Sequence, residues 1–222
     1  MKLHSNTRRV LFNEFEEDGY NLKKIPQDSI PNMIDIGANI GMLSIFARLL
    51  HPQMDIFSFE PHPVTFQNLN ENVRHMKINT FNFAMGNGEK FYLTKERKMD
   101  LCNSFSVKSN VIKEVSHEIE SLRIQDIFKK IQIKPEETLL KIDCEGAESF
   151  WVGDIEAESI LKRTKMITME AHDKGSIKLK QFIEWFMKTL WGTHVVIIDK
   201  RNRKLANLTA IESNYFRKEF DR

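Results

Sequence analysis

The segment Asp35–Gly41 has residue types and spacing that suit a ligand-binding turn, because two glycines stand four residues apart directly after an apolar run. Glycine permits a tight turn and a close approach of the backbone to a bound molecule. An ordinary turn between a strand and a helix has the same composition, so this segment alone is weak evidence for a nucleotide-like ligand. Asn39 stands where a dinucleotide site carries its second glycine, which argues against NAD.

An acidic residue follows the turn at a distance of about twenty residues. Glu60 and Pro61 come directly after the apolar run Asp55–Phe59. A carboxylate at such a strand end can accept hydrogen bonds from both ribose hydroxyls of an adenosine. Ala84 and Met85 follow the next run, where a small residue lets an adenine ring lie against the backbone or simply packs. Glu60 therefore supports an adenosine cofactor without choosing between cofactor classes.

Two later apolar runs end in residues that can do acid–base chemistry. Asp143 follows the run Thr138–Ile142, and reactive groups of open parallel sheets gather at the carboxyl ends of strands. Lys141 lies inside that run, and a buried ammonium needs a partner, for which Asp143, Glu145 or an acceptor molecule is available. His172 follows the next run and can take a proton near neutral pH, although a surface histidine is the simpler interpretation.

The acids and the histidine around Asp143 also leave a divalent metal site open. Carboxylate oxygens and imidazole nitrogens are common ligands of such ions. The spacing along the chain alone does not establish that these residues meet at one point, so the sequence assigns no metal ligand.

Strand-like runs alternate with helical patterns along the chain, which is typical of a parallel sheet covered by helices. The expected strands are 33–36, 55–59, 80–84, 138–142, 165–170, 194–198 and 205–210. The expected helices are about 41–50, 63–75, 122–131, 147–161 and 177–190. Asn87-Gly88 predicts a hairpin from strand 80–84 to a return strand through Phe91 and Leu93. The last two strands are joined by a tight polar turn and are expected to pair antiparallel.

Length and charge narrow the class of protein. The 222 residues suit one large domain, which we place at 33–222 behind a charged segment 1–32 that packs on it. The net charge of +2 is too small to argue for a nucleic-acid partner, so none is expected, and a homo-oligomer stays open. No apolar run approaches membrane-spanning length, and no secretory signal precedes the domain. Two cysteines form no disulfide framework, so a cytoplasmic enzyme is expected.

Five segments together resemble the FkbM family of S-adenosylmethionine-dependent methyltransferases. They are IDIGANIGMLS (34–44), FSFEPHPVTFQNLNENV (57–73), FNFAMGNGEKFYL (81–93), ESLRIQDIF (120–128) and LLKIDCEGAE (139–148). The last of these, following the FEP-x-P segment in this order, is highly specific. The resemblance spans about residues 33–171.

The resemblance implies an α/β class I methyltransferase (Rossmann-like) fold, with a mostly parallel seven-stranded sheet, helices on both faces and a C-terminal antiparallel strand pair. It also implies O-methylation of a hydroxyl on a small-molecule or glycan acceptor. The implied cofactor-binding residues are Asp35, Gly37, Ala38, Asn39, Gly41, Glu60, Pro61, Ala84, Met85 and Asp143. The candidate catalytic residues are Asp143, His172 and Lys141. The alternatives are an NAD-type oxidoreductase and a non-catalytic module that binds an adenosyl cofactor.

Overall fold

The computed structural model describes residues 18–94, 115–173, 177–202 and 205–220. The strands in these ranges are β1 (Asn32–Ile36), β2 (Asp55–Phe59), β3 (Ile78–Phe81), β4 (Ala84–Met85), β5 (Phe91–Thr94), β6 (Val115–Ile119), β7 (Ser121–Leu122), β8 (Thr138–Ile142), β9 (Met166–His172), β10 (His194–Asn202) and β11 (Leu205–Glu212). The α-helices are α1 (Met42–Leu50), α2 (Pro63–Val73), α3 (Ile124–Ile131), α4 (Ile155–Arg163), α5 (Leu179–Leu190) and α6 (Ser213–Phe220). Short 3-10 helices span Leu22–Lys24, Pro135–Glu137 and Ala147–Trp151.

Seven strands form the central sheet in the order β10-β11-β9-β8-β1-β2-β3. The strands from β9 to β3 pair in parallel, whereas β11 is antiparallel to both β9 and β10. The predicted sheet and its C-terminal antiparallel pair are therefore confirmed. The strands β1 and β8 are neighbours at the centre, and the strand order reverses between them. The crevice beyond their carboxyl ends is the place where open α/β sheets bind ligands.

Alternating side chains of the central strands bury both faces of the sheet. Ile34, Ile36 and Leu140 join one core cluster with apolar residues of α3, α4 and α5. Met33 and Leu139 join a second cluster with residues of α1, α6 and the segment before β1. This alternation follows from the two-residue repeat of a strand, and it confirms helices on both faces.

The segment before β1 contributes side chains to the second core cluster. Tyr20, Leu22, Ile25 and Ile30 are all buried there. Asp18 ends the described chain on this side, and its carboxylate accepts hydrogen bonds from the backbone nitrogens of Leu22 and Lys23. None of the helices in the described parts of the chain is long and apolar enough to cross a membrane.

The predicted hairpin at Asn87-Gly88 is wrong. The strand β3 ends at Phe81, β4 pairs in parallel with β7, and β5 pairs antiparallel with β6. Ser121 holds the turn instead, because its hydroxyl accepts from the backbone nitrogen of Gly88 and donates to the carbonyl of Glu89. The partners of these strands lie about thirty residues further along the chain, so a local turn signal could not identify them.

The predicted helix 147–161 is divided in two. A 3-10 helix ends at Trp151, and α4 begins at Ile155. Gly153 lies between them with a φ of +84°, which no helix residue adopts. The side chain of Asp154 then accepts from the backbone nitrogens of Glu156 and Ala157, and this cap starts the new helix. The polar and irregular sequence of residues 95–110 predicts a long loop, and this segment lies outside the described residues.

Candidate functional site

The glycine turn after β1 brings three strand ends together. The backbone nitrogens of Gly37 and Ala38 donate to the carbonyl of Phe59 at 2.9 and 3.0 Å. Gly37 has a φ of +73°, and a Cβ there would lie 1.8 Å from the carbonyl oxygen of Asp143. Gly41, with a φ of +88°, then starts α1. The turn thus requires glycine at position 37, because β8 passes directly against its backbone.

Glu60 lies beside this turn although it belongs to a different strand end. Its Oε2 accepts from the backbone nitrogen of Asn39 at 2.9 Å, and its Oε1 accepts from that of His62 at 2.9 Å. The residue is 7% exposed, and burial raises its pKa to about 7. The hydrogen bonds from the backbone and the charge of Lys141 oppose this rise. Each carboxylate oxygen keeps a lone pair that can accept a ligand hydroxyl.

Asp35 and Lys141 form a buried ion pair beneath the turn. Lys141 Nζ lies 3.0 Å from Asp35 Oδ1, and the side chains are 4% and 0% exposed. The same ammonium donates to the carbonyls of Ile36 and Gly37 at 3.3 and 3.0 Å. The other carboxylate oxygen of Asp35 accepts from Ser44 of α1. The sequence suggested Asp143, Glu145 or an acceptor as the partner of Lys141, whereas the parallel register places Asp35 opposite it.

His172 lies at the end of β9 in the middle of four carboxylates. Its Nε2 is 3.9 Å from Asp143 Oδ1 and 3.7 Å from both Glu145 Oε2 and Glu170 Oε1. Its Nδ1 is 3.7 Å from Glu148 Oε1. The imidazole is only 8% exposed, which does not fit the alternative interpretation of His172 as a surface histidine. The structure therefore brings Asp143 and His172 together, although they follow different strands and are far apart in the sequence.

The charges in this cluster shift one another's proton affinity. Burial raises the pKa of Asp143, against the opposing effect of Lys141 and His172. Burial disfavours the imidazolium of His172, but the surrounding carboxylates raise its pKa above the ordinary value. Burial together with the charge of Asp143 raises the pKa of Glu170. Such perturbed groups in a crevice are typical of functional sites.

Glu148 fixes the geometry of the cluster. It is 2% exposed, and its Oε2 accepts from the backbone nitrogen of Gly146 at 2.9 Å and from Cys144 Sγ at 3.2 Å. Its Oε1 accepts from the backbone nitrogen of His172 at 2.7 Å. Burial alone would raise the pKa of Glu148, but the imidazole of His172, the backbone hydrogen bonds and the charge of His172 together lower it. The carboxylate thus ties the end of β9 to the turn after β8.

Three predicted cofactor residues belong to other strands than the His172 cluster. Pro61 follows β2, and Ala84 and Met85 form β4. Ala84 and Met85 are each 3% exposed, and Ala84 packs with Phe91 and Ile119. Asn82 donates to the carbonyls of Glu60 and Pro61 at 2.8 and 2.9 Å, which ties the approach to β4 to the end of β2. Through these hydrogen bonds, the chain that leads into β4 is attached to the end of β2, where Glu60 lies.

Tyr20 is a residue of this site that the sequence interpretation missed. Its hydroxyl donates to Asp143 Oδ2 at 3.3 Å and to Glu170 Oε2 at 3.4 Å. Its ring faces the Lys141 ammonium at 5.3 Å. The residue is 8% exposed and comes from the segment before β1. No pattern in that segment marks it, because both hydrogen-bond acceptors are more than a hundred residues away.

Replacing Tyr20 by phenylalanine is expected to lower the free energy of unfolding by about 1 kcal/mol, because two long hydrogen bonds to carboxylates are lost while the ring still packs. Denaturant titration measures this change. Tyr92→Phe, in the separate two-stranded sheet of β5 and β6, is the matched control. Equal stability of the Tyr20→Phe variant and the native chain would show that the hydroxyl makes no net contribution.

The order of the sheet and the ligand crevice between β1 and β8 define a class I methyltransferase fold. Residues 35–199 match the family described as the Methyltransferase FkbM domain. This match covers most of the chain, and the chain belongs to the FkbM methyltransferase family. The resemblance inferred from the motifs is confirmed.

Three similar proteins illustrate the relationship. Methyltransferase 1 of Beauveria bassiana is 26% identical over 155 residues, which are 60% of this chain and 61% of that protein. The 31-O-demethyl-FK506 methyltransferase FkbM of Streptomyces tacrolimicus is 52% identical over 44 residues, or 19% of this chain and 17% of that protein. The crystal structure of methyltransferase FkbM from Methylobacillus flagellatus superposes with a TM-score of 0.54 at 17% identity. It matches 83% of this chain and 44% of that one, so this chain spans less than two thirds of these relatives.

Proposed function

We propose that this protein transfers a methyl group from S-adenosylmethionine to a hydroxyl of a small-molecule or glycan acceptor. The observation that carries the proposal is the contact between the glycine turn and Glu60, whose Oε2 lies 2.9 Å from the Asn39 nitrogen. A backbone turn and a buried acid at the switch point of a parallel sheet are the two parts of an adenosine site.

The residues around the turn fit this cofactor. Glu60 is buried, and each of its oxygens accepts a single hydrogen bond within the described chain, so both can also accept from a ribose diol. Gly37 and Gly41 hold the backbone in left-handed conformations, with φ angles of +73° and +88°, which glycine adopts without steric cost. Ala84 and Met85 follow the same edge of the sheet and are proposed to border the adenine. When bound, the cofactor supplies a methyl group that is already activated as a sulfonium.

The roles of the polar side chains follow from their positions. Asp35 and Lys141 lie under the turn and are proposed to hold it in shape. Asp143 is proposed to take the proton of the acceptor hydroxyl, because its side chain is 28% exposed at the crevice and His172 lies 3.9 Å behind it. The relative from Streptomyces, named for a 31-O-demethyl substrate, supports a hydroxyl acceptor.

Calorimetric titration of the purified chain with S-adenosylmethionine, S-adenosylhomocysteine and NAD tests the cofactor assignment. We expect saturable binding of the two adenosyl compounds, loss of this binding in Glu60→Ala, and retention in Glu71→Ala, an exposed acid of α2. Binding of NAD in their place would contradict the proposal. Transfer of label from methyl-tritiated cofactor to a panel of polyols and glycosides then tests the acceptor class, for which amine acceptors are the opposing outcome.

A further inference from the structure

The imidazole of His172 is aimed into a gap between three carboxylates without a hydrogen bond to any of them. The distances from Nε2 to oxygens of Asp143, Glu145 and Glu170 are 3.7 to 3.9 Å, beyond hydrogen-bond length. The side chain is more than nine-tenths buried, and Nδ1 has no hydrogen-bond partner in the described parts of the chain. A buried ring nitrogen without a hydrogen bond is unusual, because buried polar groups are normally paired.

The spacing of these atoms suits a single ion between them. Two ligand atoms that each lie about 2.1 Å from a tetrahedral ion are about 3.4 Å apart, so the nitrogen and the oxygens would move together by a few tenths of an ångström when an ion binds. One nitrogen of His172 and one oxygen each of Asp143 and Glu145 all lie within 4.8 Å of one another. A nitrogen together with carboxylate oxygens is a donor set that manganese, iron, cobalt and zinc accept.

We propose that Asp143, Glu145 and His172 bind one divalent cation at the carboxyl ends of β8 and β9. Glu170 lies beside them, with its Oε1 3.7 Å from His172 Nε2. The inference rests on the proposed function for its meaning: a cation here would stabilise the acceptor oxygen as an alkoxide, and Asp143 would then hold the cation instead of taking the acceptor proton, which would pass to solvent. The binding itself is independent of any acceptor.

The residues behind the histidine are those that a metal-bound imidazole uses. Histidine ligands almost always direct their other ring nitrogen at a carboxylate or carbonyl group. Here Glu148 Oε1 lies 3.7 Å from Nδ1, and Glu148 is itself fixed by the backbone nitrogens of Gly146 and His172. A second carboxylate is thus buried behind the ring in the place of an outer-shell partner.

The negative charge of the cluster also favours a bound cation. Four carboxylates, those of Asp143, Glu145, Glu148 and Glu170, surround one imidazole. The ammonium of Lys141 forms its ion pair with Asp35. A protonated histidine balances only one of the four negative charges, whereas a dication balances two.

The test is calorimetric titration of the chelator-treated full chain with Mn²⁺ and with Co²⁺, in the presence of saturating S-adenosylhomocysteine. We expect one equivalent to bind and the affinity to fall at least about tenfold in Glu145→Gln and in His172→Gln. The matched control is Glu71→Gln, for which the affinity stays unchanged. The absorption bands of bound Co²⁺ report nitrogen and oxygen ligands directly and do not depend on activity.

Two outcomes would overturn the inference. They are the absence of cation binding by the native chain at millimolar concentration, and equal affinity of the native chain and Glu145→Gln. Retained binding of S-adenosylhomocysteine in those samples shows that the chain is folded and that the proposed function survives. Cation binding without binding of the adenosyl compound would instead contradict the proposed function and leave the cation site standing.

Discussion

Replacing Lys141 by methionine is expected to lower the free energy of unfolding by about 3–5 kcal/mol, because the buried carboxylate of Asp35 is left without its ion-pair partner. The Asp35 carboxylate is fully buried, and Lys141 Nζ lies 3.0 Å from it. The variant also removes the donor to the carbonyls of Ile36 and Gly37. Methionine keeps the volume of the side chain, so the change isolates the charge and its hydrogen bonds. Denaturant unfolding at pH 7 measures the difference.

A second variant separates the ion pair from the packing around it. The double change Asp35→Asn with Lys141→Met is expected to recover much of the lost stability, because no uncompensated charge remains in the core. Lys188→Met, on the exposed side of α5, is the matched control and is expected to change stability by less than about 0.5 kcal/mol. A loss in Lys141→Met no greater than in this control would show that the pair does not stabilise the fold. Lys141 would then be a stronger candidate for contact with the acceptor.

The case of Lys141 shows what the sequence could predict. The pattern of the run Thr138–Ile142 predicted a buried strand, and burial predicted that the ammonium needs a partner. The choice of partner depends on the register between β1 and β8, which are more than a hundred residues apart. Alignment of the carboxyl ends of the two predicted strands places Asp35 opposite Lys141, so the sequence does contain a signal for this pair.

Other contacts of the site had no signal in the sequence. The central sheet followed from apolar periodicity, and the ends of β1, β2, β8 and β9 were predicted within a few residues. Tyr20 and the turn held by Ser121 depend on where distant segments pack, which local patterns do not encode. Strand pairing outside the main sheet failed for the same reason, since the predicted hairpin used a turn signal whose flanking strands pair elsewhere.

Replacing Glu60 by glutamine is expected to weaken binding of S-adenosylhomocysteine about a hundredfold at pH 8, because charge-assisted hydrogen bonds to the ribose are lost. The same change alters how stability depends on pH. Burial raises the pKa of Glu60 to about 7 in the folded chain, against about 4.5 when unfolded. The stability contributed by the protonated form is complete below pH 4.5 and is lost as the pH rises through 7. Because glutamine does not ionise, the Glu60→Gln variant does not lose this stability as the pH rises.

The native chain and Glu60→Gln are therefore compared from pH 5 to pH 8. As the pH rises, the native chain is expected to lose stability relative to the variant and to bind S-adenosylhomocysteine more tightly. The unfolding free energy of Glu60→Gln relative to the native chain rises by up to about 3 kcal/mol over this range. Binding by the native chain falls about tenfold for each pH unit below 7, because the diol needs the ionised carboxylate as its acceptor, and Glu60→Gln shows no such fall. Glu71→Gln provides the control for an exposed acid. Parallel stability profiles for the native chain and Glu60→Gln would mean that the carboxylate is not held protonated by its burial, whereas parallel binding profiles would place the ribose elsewhere in the crevice.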